Sequence, residues 1–189
     1  MRYLLKPLKR YLSKNRLYHS IRTMETAVRL SRELSIDTEK VKIASLAHDI
    51  AREIETEKMI ALASKKFDIE NWEKSYPLLL HGKAGAVLVA ELFSVNDVDI
   101  LEAIAWHTTG KPGMSDVAKI VFIADYIEPG RDHLDGDLTE RLLNRSLDEK
   151  LLIVVKERMD YNRKRGNPVT KLSQKLYEEL RRGVDTVEA

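Results

Sequence analysis

The adjacent pair His48-Asp49 is the first group in the sequence whose residue types suit a metal ion, and it lies at the end of the apolar segment 43–50. Side chains of neighbouring residues on a helix point about 100° apart, so both can reach one ion only near a helix end or a kink. A single His-Asp dipeptide is more often a surface His beside a capping Asp. The pair therefore needs partners elsewhere in the chain before it indicates a metal site.

Such partners are present at other predicted helix ends that border apolar segments. Imidazole and carboxylate ligands without thiolate favour Fe, Mn, Co, Ni or Zn, and the chain contains no Cys. A bridging carboxylate such as Asp49 allows two ions about 3.5–4 Å apart, the spacing of two-metal phosphohydrolases. The alternative is that each His forms separate hydrogen bonds in the core or at the surface. This alternative is disfavoured because burying several His and Asp side chains without a cation is unfavourable in free energy. The partners are His19, His81, His107 and Asp125.

The elements that must position these residues are predicted to be helices throughout. Apolar residues recur at helical spacing, and 8 Gly and few aromatics give no β-hairpin signal. The polar segment 67–76 is expected to be irregular, whereas the run LLIVV (151–155) is assigned to helix because its flanks are charged. The predicted fold class is therefore all-α. The helices are expected at 3–14, 17–34, 39–50, 57–66, 79–93, 98–108, 116–127, 138–146, 148–163 and 170–182.

Length and composition favour one globular domain. The chain has 189 residues, 43% of them hydrophobic, and domains usually contain about 100–200 residues. Its longest apolar runs are about five residues, whereas a membrane helix needs about 20. Residues 1–14 contain no apolar stretch long enough for a signal peptide, and zero Cys suits a reducing compartment. We therefore expect a cytoplasmic protein with no membrane partner.

The charge is distributed unevenly along the chain. Residues 1–16 carry six basic and no acidic residues, and 156–182 carry nine basic and four acidic, whereas 17–155 hold 17 basic and 24 acidic. Basic ends can attract a polyanion. Because no recognition motif that combines aromatic with basic residues accompanies them, nucleic acid is not the expected partner. The sequence leaves the oligomeric state open, including a homo-oligomer.

Three sequence blocks resemble the HD-domain superfamily of metal-dependent phosphohydrolases. They are HSIRTMETAVRLS (19–31), IASLAHDIARE (43–53) and AIAWHTTGKPGMSDVAKIVFIADYIEPGRD (103–132), with the weaker block LLLHGKAGA (78–86) between them. The likeness is greatest to the YqeK-type symmetrical bis(5′-nucleosyl)-tetraphosphatases. It implies a single HD-domain helical bundle over residues 1–189, with a core at about 16–135 on which helices within 138–182 pack.

The resemblance also implies a metal centre. In that family the first His, the His-Asp pair and the late Asp bind a divalent metal, iron being the expected one, as one or two ions. Such a metal lowers the pKa of a bound water toward ~7. The corresponding residues are His19, His48, Asp49 and Asp125.

Further roles carried over from the family concern catalysis and phosphate. The two intervening His contact a second metal or the nucleotide phosphates, which corresponds to His81 and His107. The arginine after the Glu-Pro-Gly turn contacts phosphate, which corresponds to Arg131. Together with Asp49, these three are the expected catalytic residues. His133 matches nothing in the family pattern and is expected to be a solvated loop residue.

Other positions are expected to bind the nucleotide. Arg52, one turn after Asp49, replaces a Lys that is common in the family, and its guanidinium remains cationic with a fork geometry. Thr108 lies beside His107, and Thr170 belongs to a C-terminal segment that contacts nucleotide in the family. Lys111 is a further candidate for phosphate. The usual Arg-Tyr before the last His is Ala105-Trp106 here, so no arginine contact is expected there.

The implied reaction is hydrolysis of diadenosine tetraphosphate into two ADP. Two alternatives remain open at this point. One is another HD-type nucleotide phosphohydrolase, and the other is a nucleotide- or RNA-binding module in which the metal site is structural. The second would not need six ligands and an adjacent arginine.

Overall fold

The computed structural model describes residues 2–132 and 136–185, and every regular element in these ranges is a helix. This confirms the all-α prediction, including helix at the LLIVV run. The helices are α1 (Arg2–Tyr11), α2 (Lys14–Glu33), α3 (Thr38–Ala47), α4 (Thr56–Ala63), α5 (Asn71–Ser75), a 3₁₀ helix (Pro77–Leu80), α6 (His81–Phe93), α7 (Val98–Trp106), α8 (Asp116–Ile127), α9 (Gly136–Arg141), α10 (Leu147–Lys164) and α11 (Lys171–Asp185).

Segment 67–76 departs from the prediction, because it contains the short helix α5. A capping box forms there between Glu70 and Glu73. Glu is not among the residues favoured at a helix N-cap, so no typical start signal precedes this helix. The expected helix 39–50 is also shorter than predicted, since α3 ends at Ala47 and the following residues form turns. The pair His48-Asp49 therefore leaves the helix at its end.

Several helix starts follow the capping chemistry that the sequence indicated. The side chains of Asp37, Asp97 and Ser115 accept hydrogen bonds from backbone N–H groups in the first turns of α3, α7 and α8. Such caps satisfy N–H groups that have no partner within the helix. In α4, by contrast, Thr56 is the first helical residue, and the N-cap Glu55 makes no side-chain cap bond.

Helix α8 lies at the centre of the packing. Nine of its residues, from Val117 to Tyr126, are buried, and the helix packs against α2, α3, α7 and α10. Burying apolar side chains on all sides of one helix is the largest favourable term available to a chain of this size. Helix α6 packs against α7. The helices that carry the candidate ligands therefore surround a common point.

Helix α1 packs through Leu4 and Leu8, which are buried, as is Leu12 just after the helix. Within the described ranges, no helix combines the length and apolar character that crossing a membrane would require. The domain limits expected from the sequence, 1–189 with a core at about 16–135 and C-terminal helices within 138–182, stay a prediction.

Candidate metal centre

Six side chains that the sequence singled out converge in the interior, each at most 6% exposed. Four come from the ends of helices or turns, one from inside α2, and one from the last turn of α8. We call this group the six-residue cluster. Its members are His19, His48, Asp49, His81, His107 and Asp125.

The first half of the cluster joins α2, α3 and α8. His19 Nε2 lies 3.2 Å from His48 Nε2 and 3.1 Å from Asp125 Oδ1. Asp49 Oδ2 lies 3.4 Å from His48 Nε2 and 3.5 Å from His19 Nε2. Ligand atoms of His19, His48 and Asp125 all lie within 4.8 Å of one another, so they can hold one ion.

The second half uses the other oxygen of the same carboxylate. Asp49 Oδ1 lies 3.0 Å from His81 Nε2 and 3.5 Å from His107 Nε2. The two imidazole Nε2 atoms are 2.9 Å apart. Asp49 therefore faces both halves, one oxygen to each, which is the arrangement of a carboxylate that bridges two ions. Ligand atoms of His48, Asp49 and His107 also lie within 4.8 Å of one another.

The histidines present their Nε2 atoms to the cluster because their Nδ1 atoms are engaged elsewhere. The Nδ1 atoms of His48, His81 and His107 face the backbone carbonyls of Ser45, Leu78 and Ile104, each three residues earlier. A carbonyl only accepts, so Nδ1 carries the proton and donates it. The lone pair of a neutral ring is then on Nε2, which is the form that binds a metal.

The electrostatics of the cluster favour a cation. Burial lowers the pKa of His48, but the carboxylates of Asp49 and Asp125 outweigh it and raise this pKa to about 10. The pKa values of both carboxyls lie well below their usual range in spite of burial, because His and Arg side chains surround them. Burial, with help from His81 and His48, lowers the pKa of His107 to about 4. The donor set thus combines ionised carboxylates with imidazole and fits a divalent transition metal.

Three arginines contact the carboxylates of the cluster. Arg16 Nη1 donates to Asp49 Oδ2 at 2.9 Å. Arg131 Nε donates to the backbone carbonyl of Asp125 at 2.8 Å, and its Nη2 donates to Asp125 Oδ1. Arg158 Nη1 donates to the carbonyl of His107 at 2.8 Å, and its Nη2 lies 3.4 Å from Asp125 Oδ2.

Arg131 turns back towards the cluster, and its role in binding phosphate stays a prediction. Its described carboxylate partners are Asp125 and Glu128. No hydrogen bond or ion pair joins Arg131 to Asp132 within the described ranges, and His133 lies outside them. The φ of Gly130 is not positive, so the turn does not depend on the conformational freedom of a glycine. A Cβ at this position would instead overlap the guanidinium of Arg22.

The remaining predicted nucleotide contacts lie in different surroundings. Arg52 is half-buried and makes no side-chain hydrogen bond or ion pair to another described residue. Burial lowers its pKa, an effect that Asp49 only partly offsets. Thr108, next to His107, donates to the carbonyl of Leu79 at 3.3 Å.

Thr170 is buried, and its hydroxyl accepts from Ser173 N at 3.1 Å at the start of α11. No described contact joins it to the cluster, so its nucleotide role stays a prediction. Lys111, the other candidate cation, pairs with Glu102 at 2.6 Å.

Three residues at the site were missed by sequence reasoning. Arg16 lies one helical turn before His19, a spacing that could have found it. Glu128 belongs to the Glu-Pro-Gly-Arg motif but had received no role. Arg158 lies in a charged helix 33 residues after Asp125, and no sequence signal distinguishes it from its charged neighbours.

A cavity of 790 Å³ opens beside the first half of the cluster. Among the described residues that line it, His19 is the one member of the six-residue cluster. The cavity is large enough for a nucleotide-sized ligand, and several of its lining side chains are cationic. Four arginines line it, namely Arg16, Arg22, Arg131 and Arg165.

Comparisons with known proteins identify similar sequences and one similar structure. The sequence profile described as HD domain matches residues 16–130. A Bacillus subtilis protein named "Bis(5′-nucleosyl)-tetraphosphatase, symmetrical" is 33% identical over 162 residues, covering 86% of this chain and 87% of the relative. A protein of the same name from Halalkalibacterium halodurans is 39% identical over 127 residues, covering 67% and 68%.

One solved structure has the same architecture. It is a Clostridium acetobutylicum chain described as a predicted HD superfamily hydrolase involved in NAD metabolism. It superposes with a TM-score of 0.85 at 34% sequence identity, covering 93% of each chain. At this identity and coverage, the two chains share the same fold.

Proposed function

This chain belongs to the HD domain family, and on that premise we propose that it is a symmetrical bis(5′-nucleosyl)-tetraphosphatase. It hydrolyses the central anhydride of diadenosine tetraphosphate and releases two ADP. One observation carries the proposal: the buried six-residue cluster, divided by the two oxygens of Asp49, lies beside an arginine-lined cavity. The names of the relatives supply the substrate class.

The residues of the cluster would hold one or two divalent ions, with iron as the proposed metal. When bound, such a metal supplies Lewis-acid polarisation of a phosphoryl group and activation of water at neutral pH. Asp49 serves both halves and keeps the two positions close together. The first position is formed by His19, His48, Asp49 and Asp125, and the second by His81 and His107 with the other oxygen of Asp49.

The arginines of the site bind and orient the polyphosphate. Arg131 approaches Asp125 from the cavity side, and its fork can contact non-bridging phosphate oxygens. Arg52 carries a charge with no described ion pair, so it is available to a phosphate. Thr108 adds a hydroxyl beside His107. These groups neutralise charge on the phosphates as the anhydride breaks, which is the role that preorganised donors fulfil in phosphoryl transfer.

The alternatives weighed from the sequence are not favoured. An RNA-binding module with a structural metal would not require a six-residue cluster beside an arginine-lined cavity of about 790 Å³. A relative that matches 86% of this chain is named as a bis(5′-nucleosyl)-tetraphosphatase. This name favours dinucleoside tetraphosphates over other nucleotides as the substrate. We propose a cytoplasmic location, where nucleotide substrates are available, and zero Cys supports it. Assembly into a homo-oligomer stays a prediction.

The test is product analysis with diadenosine tetraphosphate in water enriched in ¹⁸O. We expect ADP alone, and one of the two ADP molecules from each turnover should carry a single ¹⁸O. Asp125→Asn is the matched control, because it removes one ligand charge at nearly constant volume, and it should release no ADP. Equal amounts of ATP and AMP would contradict symmetrical cleavage and leave the chain as a hydrolase of a different specificity.

A further inference from the structure

His19 differs from the other three histidines of the cluster in how its ring is held. His48, His81 and His107 lie at helix ends, where the last carbonyls have no partner within the helix and are free to accept from Nδ1. His19 lies inside α2, where the preceding carbonyls already accept from backbone N–H groups. Its Nδ1 therefore needs an acceptor from another part of the chain.

Glu128 supplies that acceptor from just beyond the end of α8. Its Oε1 lies 3.0 Å from His19 Nδ1, and the side chain of Glu128 is only 1% exposed. A carboxylate accepts and does not donate when ionised. His19 consequently donates from Nδ1 and turns the lone pair of Nε2 towards Asp125 Oδ1, 3.1 Å away.

The carboxylate is itself held by two donors on its other oxygen. Arg22 Nε donates to Glu128 Oε2 at 2.5 Å, and the backbone N–H of Gly130 donates to the same oxygen at 2.7 Å. Both oxygens of Glu128 are therefore engaged, one beside His19 and the other by a guanidinium and a backbone N–H group.

Gly130 completes the arrangement. A Cβ at this position would overlap the Arg22 guanidinium that clamps Glu128. The contacts thus form a chain of three links, from Arg22 and Gly130 to Glu128, and from Glu128 to His19. Each link is a charge-assisted hydrogen bond, which is stronger and more directional than a neutral one.

We propose that Glu128 is a positioning residue that fixes the tautomer and ring orientation of His19, and that Arg22 and Gly130 hold Glu128 in place. Glu128 does not share an ion with the cluster, because it contacts the opposite edge of the imidazole from the Nε2 that faces Asp125. It acts through His19. The inference rests on the proposed function in one respect, namely that the cluster binds a divalent metal.

The experiment measures Co²⁺ binding by the full chain, using competition with a chelator for affinity and the visible absorption of bound Co²⁺ for geometry. Outer-shell partners of this kind typically change metal affinity about 10–100-fold. We expect Glu128→Ala to weaken Co²⁺ binding by about 100-fold and Glu128→Gln by about 10-fold. In Glu128→Gln, the amide oxygen can still accept a hydrogen bond from His19. The NH₂ group, however, would then face two other donors, Arg22 Nε and the backbone N–H of Gly130. Both variants should shift the absorption bands.

Glu102→Gln is the matched control. Glu102 accepts from Lys111 Nζ at 2.6 Å and from the backbone N–H of Ser115 at 2.9 Å. Like Glu128, it is therefore held by one cationic side chain and one backbone N–H group. It makes no described contact with the cluster. Its Co²⁺ affinity and spectrum should match those of the unmodified chain, while its thermal stability reports the cost of losing such a carboxylate.

The possible results distinguish failure of this inference from failure of the proposed metal centre. Co²⁺ affinity and spectrum of Glu128→Ala equal to those of the unmodified chain would overturn the inference and leave the proposed metal centre intact. Failure of the unmodified chain to bind Co²⁺ would overturn both. Should Glu128→Ala not fold, Arg22→Met decides, since it removes the clamp and retains Glu128; a several-fold loss of Co²⁺ affinity supports the proposal, and an unchanged affinity refutes it.

Discussion

The two halves of the metal centre are built in different ways. In the second half, the rings of His81 and His107 are held by carbonyls three residues earlier on their own segments. In the first half, His48 is held in the same local way by the carbonyl of Ser45, but His19 is held by Glu128, 109 residues away, and this half faces the cavity. Ligands held by local backbone are fixed once their helix end forms, whereas a ligand held by distant side chains depends on tertiary packing.

The supports behind the two halves also differ. Lys83, two residues after His81, forms a buried ion pair with Glu73 at 2.6 Å and lies 5.4 Å from the ring centre of Trp106. This pair joins α5, α6 and α7 behind the second half. The first half is surrounded instead by arginines that line or approach the cavity. We therefore expect changes behind the second half to affect stability, and changes around the first half to affect metal binding and turnover.

The largest effect is expected for Asp49, the residue that the two halves share. Asp49→Ala should remove metal from both positions and abolish hydrolysis, because one oxygen faces each half. His81→Ala should reduce metal at the second position only. Elemental analysis of the purified variants measures this. Unchanged metal content in Asp49→Ala would show that the assignment of the bridge is wrong.

Lys83→Met tests the support of the second half. Glu73, 5% exposed, would lose its buried cation, and breaking a buried pair from one side typically costs about 3–5 kcal/mol. Chemical denaturation at neutral pH measures the loss. The double variant Lys83→Met/Glu73→Met should recover much of it, since no unpaired charge remains. Equal stability of Lys83→Met and the unmodified chain would refute this role of the pair.

Arg131→Ala tests the cavity side of the first half. Turnover should fall by about 10²–10³, as expected when one preorganised donor is lost, while metal content stays close to that of the unmodified chain. Steady-state kinetics together with elemental analysis decide this. Arg145→Ala is the control, because this exposed arginine pairs with Glu149 at 3.0 Å. Near-normal turnover of Arg131→Ala would move the phosphate-binding role to Arg52.

The smallest effect is expected away from both halves, in the capping box of α10. Hydrogen bonds from Ser146, then from Arg145, hold the pKa of Glu149 at about 2. A lowered carboxyl pKa stabilises the fold above the unfolded value of about 4.3, and this stabilisation disappears as the pH falls through about 2. Glu149→Gln should therefore lower the free energy of unfolding by less than about 1 kcal/mol at pH 7. At a pH below about 2, the variant and the unmodified chain should be equally stable. Urea titrations at several pH values measure this, and a pH-independent difference would contradict it.

The sequence by itself determined the helices and most of the candidate ligands. Helical periodicity and caps such as Asp97 depend on residues within a few positions of one another, so a local pattern records them. The short helix α5 was missed because its Glu70 cap is not a typical start signal. His48 and Asp49 end an apolar helix together, but this pair indicated a metal site only when taken with the other His and Asp residues at predicted helix ends.

Only the tertiary structure decided how these residues are held. Nothing near Glu128 in the chain indicates that its carboxylate meets His19, because the contact exists only where the end of α8 packs beside α2. The same holds for Arg158, whose guanidinium reaches His107 O across 51 positions. Likewise, only the tertiary structure shows that the two oxygens of Asp49 face different halves of the cluster. Local patterns specify which residues are available, and long-range packing specifies which oxygen faces which nitrogen.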